Sequence, residues 1–195
     1  MKNEGQTVMI AAALARRSWR VGAAKGGQCR RALGILKGIP PLVIPDLLHM
    51  LRAMGHGDSI AIVDSNFPAW STATHCNVSS SIALAGADLP GAMSAILEIF
   101  PVDYFGGEGE SPVRYMAPTP ETAYPALARD LHTEIETLTA TNCPGLSAQP
   151  LERFAFYEEA KKCFGIVQCV GERRPYGNVI ITKGVIGPDG RDLKP

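Results

Sequence analysis

At 195 residues, 46% of them hydrophobic, the chain has the length of one domain, and no apolar run approaches the roughly eighteen residues of a membrane span. Its formal net charge is zero, so no overall field draws it to nucleic acid. The five cysteines are odd in number and scattered, with no Cys-x-x-Cys and no Cys/His cluster at zinc spacing; they read as reduced thiols in a cytosolic-type compartment and offer no metal site.

Residues 1–35 hold seven of the 19 Lys/Arg and one of the 19 Asp/Glu, which leaves the remainder at a net −6. This basic, Ala- and Gly-rich extension is expected outside the folded domain, as a disordered tail or as sequence translated from upstream of the natural start. An amphipathic stretch over Met9–Arg20 leaves an organelle transit peptide as the alternative. Compact structure is expected from Leu36-Lys37-Gly38-Ile39-Pro40-Pro41 onward. Pro45 and Asp46 suit a first helical turn, Leu47, Leu48, Leu51 and Met54 follow at helical spacing, and Gly55 fits the C′ position. Ser59–Val63 is short, apolar and β-branched, and reads as a buried strand. Residues 70–87 are Ser/Thr/Ala-rich and suggest only a loop around a short strand. Pro90 opens a second helix, with Met93, Ile96, Leu97 and Phe100 on its apolar face.

Val102–Phe105 reads as a short strand or turn, 106–110 as a flexible loop and Val113–Met116 as a strand. Pro120–Thr139 reads as a long helix with a stripe of Leu127, Leu131, Ile135 and Leu138. Leu151–Phe156 alternates like a strand, and Glu158–Phe164 follows as a short helix. Gly165–Val170 is a strong strand, 171–177 a loop, and Asn178–Thr182 a strand that 184–186 extends. Residues 188–195 are a polar tail. Alternating helix and strand predict an α/β fold, a layered α/β sandwich around a largely parallel sheet.

The chemistry centres on Met54–Pro68. Open α/β sheets place ligands at the carboxyl ends of strands. His56 precedes the strand 59–63 and Asp64 follows it, so the two lie roughly 20–25 Å apart along the chain. They meet at one small ligand if the His side chain swings back over the sheet, or if two subunits share the site. His56, flanked by glycines, is either a cap on the preceding helix or a general acid/base near neutrality. His49 and His132 fall on predicted helices and are expected to be exposed. Asp64 and Asp103, at or near strand ends, are turn-formers, caps or catalytic carboxylates. Tyr157 stands at the expected strand-to-helix junction, and Tyr176 and Asn178 flank Gly177 at a strand entrance. Tyrosine offers a flat apolar face with a hydroxyl, and asparagine a donor and an acceptor, to a polyol. No phosphate loop, Gly-x-Gly-x-x-Gly, Gly-x-Ser-x-Gly or His-Glu-x-x-His occurs, so nothing supports a nucleotide cofactor, acyl-serine chemistry or zinc proteolysis. The inventory suits proton transfer on an uncharged polyhydroxy ligand, which needs no metal or redox cofactor because only protons move.

These segments resemble the family that contains fucose mutarotase and ribose pyranase. The resemblance rests on Leu36-Lys37-Gly38-Ile39-Pro40, Met54-Gly55-His56-Gly57-Asp58 and Asp64-Ser65-Asn66-Phe67-Pro68. It continues through Arg153-Phe154-Ala155-Phe156-Tyr157-Glu158 to Lys162, and through 171–185, in order over about residues 36–187. It implies that His56 is the proton donor, that Asp64 holds sugar hydroxyls, that Asp103 and Tyr157 join the site, and that Tyr176 and Asn178 bind sugar. The ribose-type branch carries His where Tyr157 stands, so Tyr157 resembles the fucose-type branch. The resemblance also implies self-association, with ring-shaped decamers among bacterial members and pockets near subunit contacts.

One departure stands out. The fucose-type branch usually carries Arg and Asp two residues apart before a Gly, where this chain has Ala83 and Ala85 in Ile82-Ala83-Leu84-Ala85-Gly86. The expectation is a cytoplasmic isomerase over 36–187 that interconverts the anomers of L-fucose by acid/base ring opening, with His56, Asp103 and Tyr157 catalytic and Asp64, Tyr157, Tyr176 and Asn178 holding sugar. The alternatives are a non-catalytic sugar-binding or transport-accessory protein of the same fold, and a ribose-type pyranase.

Overall fold

A computed structural model of the chain describes residues 34–195 apart from Glu108, Thr122 and Ala123; residues 1–33 of the expected N-terminal extension, Cys29 among them, lie outside the described residues. The elements run α1 Pro45–Ala53, β1 Ser59–Val63, α2 Ala69–Ala73, β2 Ile82–Leu84, α3 Leu89–Leu97, β3 Val113–Met116, α4 Pro125–Asn142, β4 Gln149–Leu151, α5 Arg153–Lys162, β5 Gly165–Cys169 and β6 Val179–Thr182. The six strands form one sheet in the order β2-β5-β1-β6-β3-β4. Five run in one direction; β6 is antiparallel to both its neighbours, pairing Ile60 with Ile181 on β1 and Arg114 with Ile180 on β3.

The central strands read as unbroken apolar runs because both faces are covered. Ile60, Ile62, Val167, Val179 and Ile181 pack against α1, α3 and α4. Their alternates Ala61, Val63, Ile166 and Ile180 pack against Phe67, Phe156 and the small residues of α2 and α5. The result is the expected layered sandwich around a largely parallel sheet, here with helices on both faces.

The differences have local causes. Gly55 does not take the left-handed conformation; α1 ends at Met54 with extended backbone, and Gly57 carries the positive φ of 84°. Residues 69–73 form a short helix whose buried side are Ala69, Thr72 and Ala73, too small to give an apolar period. The long helix opens at Pro125, after Tyr124 at φ 57°, and not at Pro120. Its buried face is Ala128, Leu131, His132, Ile135 and Thr139, which leaves Leu127 exposed and buries the histidine expected at the surface. The expected strand 151–156 ends at Leu151, because the Glu152 carboxylate accepts the Phe154 and Ala155 N–H groups and starts α5. The strand expected to continue through 184–186 stops at Thr182. The backbone of Val102 passes so close to Gly184 that a Cβ there would collide with the Val102 carbonyl. The tail beyond 187 folds back: the Leu193 N–H donates to Val185, and the Lys194 ammonium sits 4.5 Å from the Tyr104 ring centre. Cys76, Cys143, Cys163 and Cys169 are buried free thiols.

Candidate functional site

The expected site residues fall into two groups at opposite ends of β1. His56 lies in the loop between α1 and β1. Its Nε2 is 3.2 Å from Asp103 Oδ1, an oxygen that also accepts the Phe105 N–H at 2.9 Å. An ionised carboxylate only accepts, so Nε2 carries the hydrogen and Nδ1 is left to exchange a proton with a ligand. The His56 side chain is 50% exposed and that of Asp103 only 12%, so the ring meets solvent while its carboxylate partner is sheltered. Phe105 meets the imidazole edge-on, with ring centres 6.4 Å apart. Beside Asp103 opens a polar cavity of about 450 Å³ whose wall includes Glu110, Arg114, Glu159 and Thr182. The capping alternative for His56 is not what forms, since Lys183 occupies the end of α1.

At the other end Asp64 leaves β1 as a turn-former. Its Oδ1 accepts the Asn66 and Phe67 N–H groups at 2.8 and 2.9 Å. Asn178 joins it reciprocally: Nδ2 donates to Asp64 Oδ2 at 3.0 Å, and Oδ1 accepts the Asp64 N–H at 3.1 Å. Burial pushes the Asp64 carboxyl above its ordinary value, against the pull of hydrogen bonds from Asn66, Asn178 and Phe67. Most of its acceptor capacity is thus spent inside the protein. The Gln168 amide draws in the carbonyls of Asp64, Ser65 and Phe67, and Glu172 accepts the Ser65 N–H. The loop is fixed from below.

Above this framework lie the aromatic residues. Tyr157 is on α5, inside the first turns and not at a strand junction, and stacks on Phe67 with ring centres 5.3 Å apart. Tyr176 holds φ at 61°, a conformation rare for a side chain of its size. Its hydroxyl is 3.0 Å from Thr119 Oγ1 and its carbonyl 3.2 Å from His132 Nε2. Arg153 lies over the Tyr157 ring and donates a hydrogen bond to its hydroxyl, which raises the Arg153 pKa, with Tyr176 contributing. Sequence reasoning assigned no role to Arg153, Phe67, Thr119 or Lys183. Arg153, Phe67 and Lys183 sit within the resembling segments, which was the available signal; Thr119 gave none. Among the described residues no group of three or more His, Cys, Asp or Glu could hold a metal ion, and no helix is long and apolar enough to cross a membrane.

The fold and these residues describe a three-layer α/β protein with a histidine–carboxylate pair at one sheet end and a polar, aromatic cradle at the other. The chain belongs to the RbsD / FucU transport protein family, whose model matches residues 37–186. Its relatives include the fucose mutarotase of Homo sapiens, 40% identical over 77% of this chain and 94% of that one. The fucose mutarotase of Danio rerio is 38% identical over 80% of this chain and 97% of its own. Among solved structures, the fucose mutarotase of Streptococcus pneumoniae in complex with L-fucose superimposes with a TM-score of 0.62 at 32% identity, covering 78% of this chain and all of that one.

Proposed function

We propose that the protein is a cytoplasmic aldose mutarotase, with its catalytic domain over 36–187, that interconverts the α and β anomers of L-fucose. The observation that carries this reading is the contact between His56 Nε2 and Asp103 Oδ1, which presents an oriented imidazole to solvent. The names of the relatives and the L-fucose complex of the S. pneumoniae protein support the substrate. In the reaction His56 protonates the ring oxygen while a base takes the proton of the anomeric hydroxyl, with Asp103 or Tyr157 completing the proton path. The ring opens to the aldehyde, the C1–C2 bond rotates, and closure gives the other anomer. Only protons move, and each positioned acid or base contributes on the order of 10²–10⁴-fold.

Asp64, Tyr176 and Asn178 hold the sugar, with Arg153 and the Phe67–Tyr157 stack completing the cradle. The five residues of β1 span about 16 Å, so the two groups cannot close on one monosaccharide within a subunit. The site is therefore completed by a second copy, the His56 end of one facing the sugar cradle of the next. Such a head-to-tail contact is heterologous, and it gives a ring where the rotation between successive copies closes. A decamer is the ring the family resemblance implies. The exposed Phe105 beside His56, and Trp70 and Phe154 at the start of α2 and α5, supply apolar surface at the two faces.

The test is NMR saturation transfer between the anomeric protons of L-fucose, with and without the protein. Faster exchange that disappears in His56→Ala supports the reading. Binding of L-fucose without faster exchange would replace it with a sugar-binding protein. Acceleration confined to ribose would point to pyranase activity, which Tyr157 in place of His disfavours.

A further inference from the structure

We infer that Lys183 is a positioning residue for the proton transfer, the group that holds His56 and Asp103 against each other. The inference rests on the mutarotase reading of that pair. Lys183 directly follows β6. Its ammonium donates to the Leu51 carbonyl at 2.7 Å and the Met54 carbonyl at 2.6 Å, oxygens at the end of α1 where intrahelical donors run out. Its backbone grips the other side of the loop: its N–H donates to Asp58 at 2.8 Å and its carbonyl accepts the Gly57 N–H at 2.9 Å. One residue thus contacts 51, 54, 57 and 58, bracketing His56 from both directions.

The same stretch carries Asp103. Val102 bridges to Lys183, the Asp103 N–H donates to Thr182 at 3.1 Å, and the Gly184 N–H donates to Pro101 at 2.8 Å. His56 and Asp103, 47 positions apart, meet on the exit of one strand. The His56 loop needs such an anchor because Gly55 and Gly57 on either side give it conformational freedom. The Gly55 N–H is already turned to Asp58 Oδ2 at 2.7 Å, so the α1 carbonyls depend on the ammonium. None of these contacts reaches Asp64, Tyr176 or Asn178, which sit at the far end of β1 and β6. Loosening Lys183 therefore acts on the chemical step and spares the sugar contacts.

The test compares Lys183→Met, which keeps the stem and removes the donors, with Lys183→Arg, whose fork reaches two carbonyls. Leu47→Ala serves as a control that weakens α1 from inside the core. The first should lower kcat by about tenfold or more, a displacement of the order of 1 Å being costly, while KM for L-fucose stays within about twofold. Lys183→Arg should recover most of kcat. Leu47→Ala should lower Tm with kcat retained. An independent readout is the nuclear Overhauser contact between the His56 and Phe105 rings, lost in Lys183→Met and kept in Leu47→Ala. Equal kcat in Lys183→Met and Leu47→Ala at matched loss of Tm would reduce Lys183 to a helix cap and overturn the inference, as would a rise in KM alone. If the unaltered protein fails to accelerate anomer exchange, the mutarotase reading fails. The ring contact then still decides whether Lys183 holds His56. Should Lys183→Met fail to fold, Lys183→Gln, which retains one donor group, carries the same comparison.

Discussion

Exchanging Asp64 and Asn178 tests the framework under the sugar cradle. In the native arrangement Asp64 Oδ1 takes two backbone N–H groups, Oδ2 takes the Asn178 amide, and Asn178 Oδ1 takes the Asp64 N–H. Asp64→Asn alone keeps the oxygen for the backbone but turns an NH₂ toward the NH₂ of Asn178. Two buried donors then face each other, at a cost of about 1–3 kcal/mol. The cost is partly offset because a carboxylate whose pKa burial has raised is no longer there. Asn178→Asp alone sets two carboxylates face to face, and the pair retains a proton, so this variant should be least stable at neutral pH and recover on acidification. The double exchange restores every one of these hydrogen bonds with the roles reversed and loses only the 3.6 Å approach of the Asn178 amide to Met116 sulfur. Its coupling energy should be about 1–3 kcal/mol of recovered stability. Each kcal/mol should appear as about 2–4 °C in Tm for a chain of this size. Thermal and urea unfolding of the four proteins at pH 7 measures the cycle. Stability should return in the double variant while turnover does not, because the carboxylate has moved from the β1 turn to β6. A double variant as unstable as the sum of the singles would show that the reciprocal pair is not what fixes these residues.

Three further outcomes follow from the same contacts. Mixing the inactive variants His56→Ala and Asp64→Ala in one co-expressed oligomer should restore activity to about a quarter of the native value, the chance that both halves of a shared site are intact in a random ring; no recovery would mean that each copy builds its own site. Burial lowers the pKa of His132 below its ordinary 6.5, with Glu136 opposing, so the unfolded chain takes up this proton at higher pH than the native protein does. Stability should fall as pH drops through and below 6.5, and urea midpoints at pH 7.5 and 5.5 should differ less in His132→Phe. Arg174 binds the buried Glu172 through Nε and Nη2 and reaches Glu134 on α4. Arg174→Met leaves that carboxylate without its cationic partner and should cost about 2–4 kcal/mol by denaturant unfolding, discounted from the roughly 3–5 kcal/mol of a fully buried pair because the arginine remains partly exposed.

Where the sequence was legible, a single physical signal dominated. Ser59–Val63 and Gly165–Cys169 are β-branched and apolar because both faces are covered, so length and composition identified them. Pro90 and Met93–Ile96 located α3 for a similar reason. Errors arose where small residues carry the packing. Ala128, His132 and Thr139 join Leu131 and Ile135 on the buried face of α4, so a stripe drawn through large side chains alone also took in Leu127, which is exposed. At α5 the alternation of 151–156 was overruled by one carboxylate, Glu152, capping two N–H groups. The pairing of His56 with Asp103 leaves no periodic trace across 47 positions. Only the family resemblance had grouped them, and it gave no hint that a lysine after β6 ties both down.

The antiparallel strand explains why the candidate residues gather at two ends of the sheet. In an all-parallel sheet the carboxyl ends of the strands gather ligand-binding loops on one side. Here β6 runs against β1 in direct register, Ser59 opposite Thr182 and Ile62 opposite Val179. Its entrance therefore sets Tyr176 and Asn178 beside Asp64, and its exit sets Lys183 beside His56. Each strand of the pair carries candidate residues at both of its ends. The strand length that keeps the core covered also keeps His56 away from Asp64, Tyr176 and Asn178 in the same subunit. Shortening β1 and β6 to bring the ends together would expose Ile60, Ile62, Val179 and Ile181, all fully buried. On the reading proposed above, contact between copies would satisfy both demands: the sheet keeps its length, and His56 of one protomer would reach the cradle of its partner.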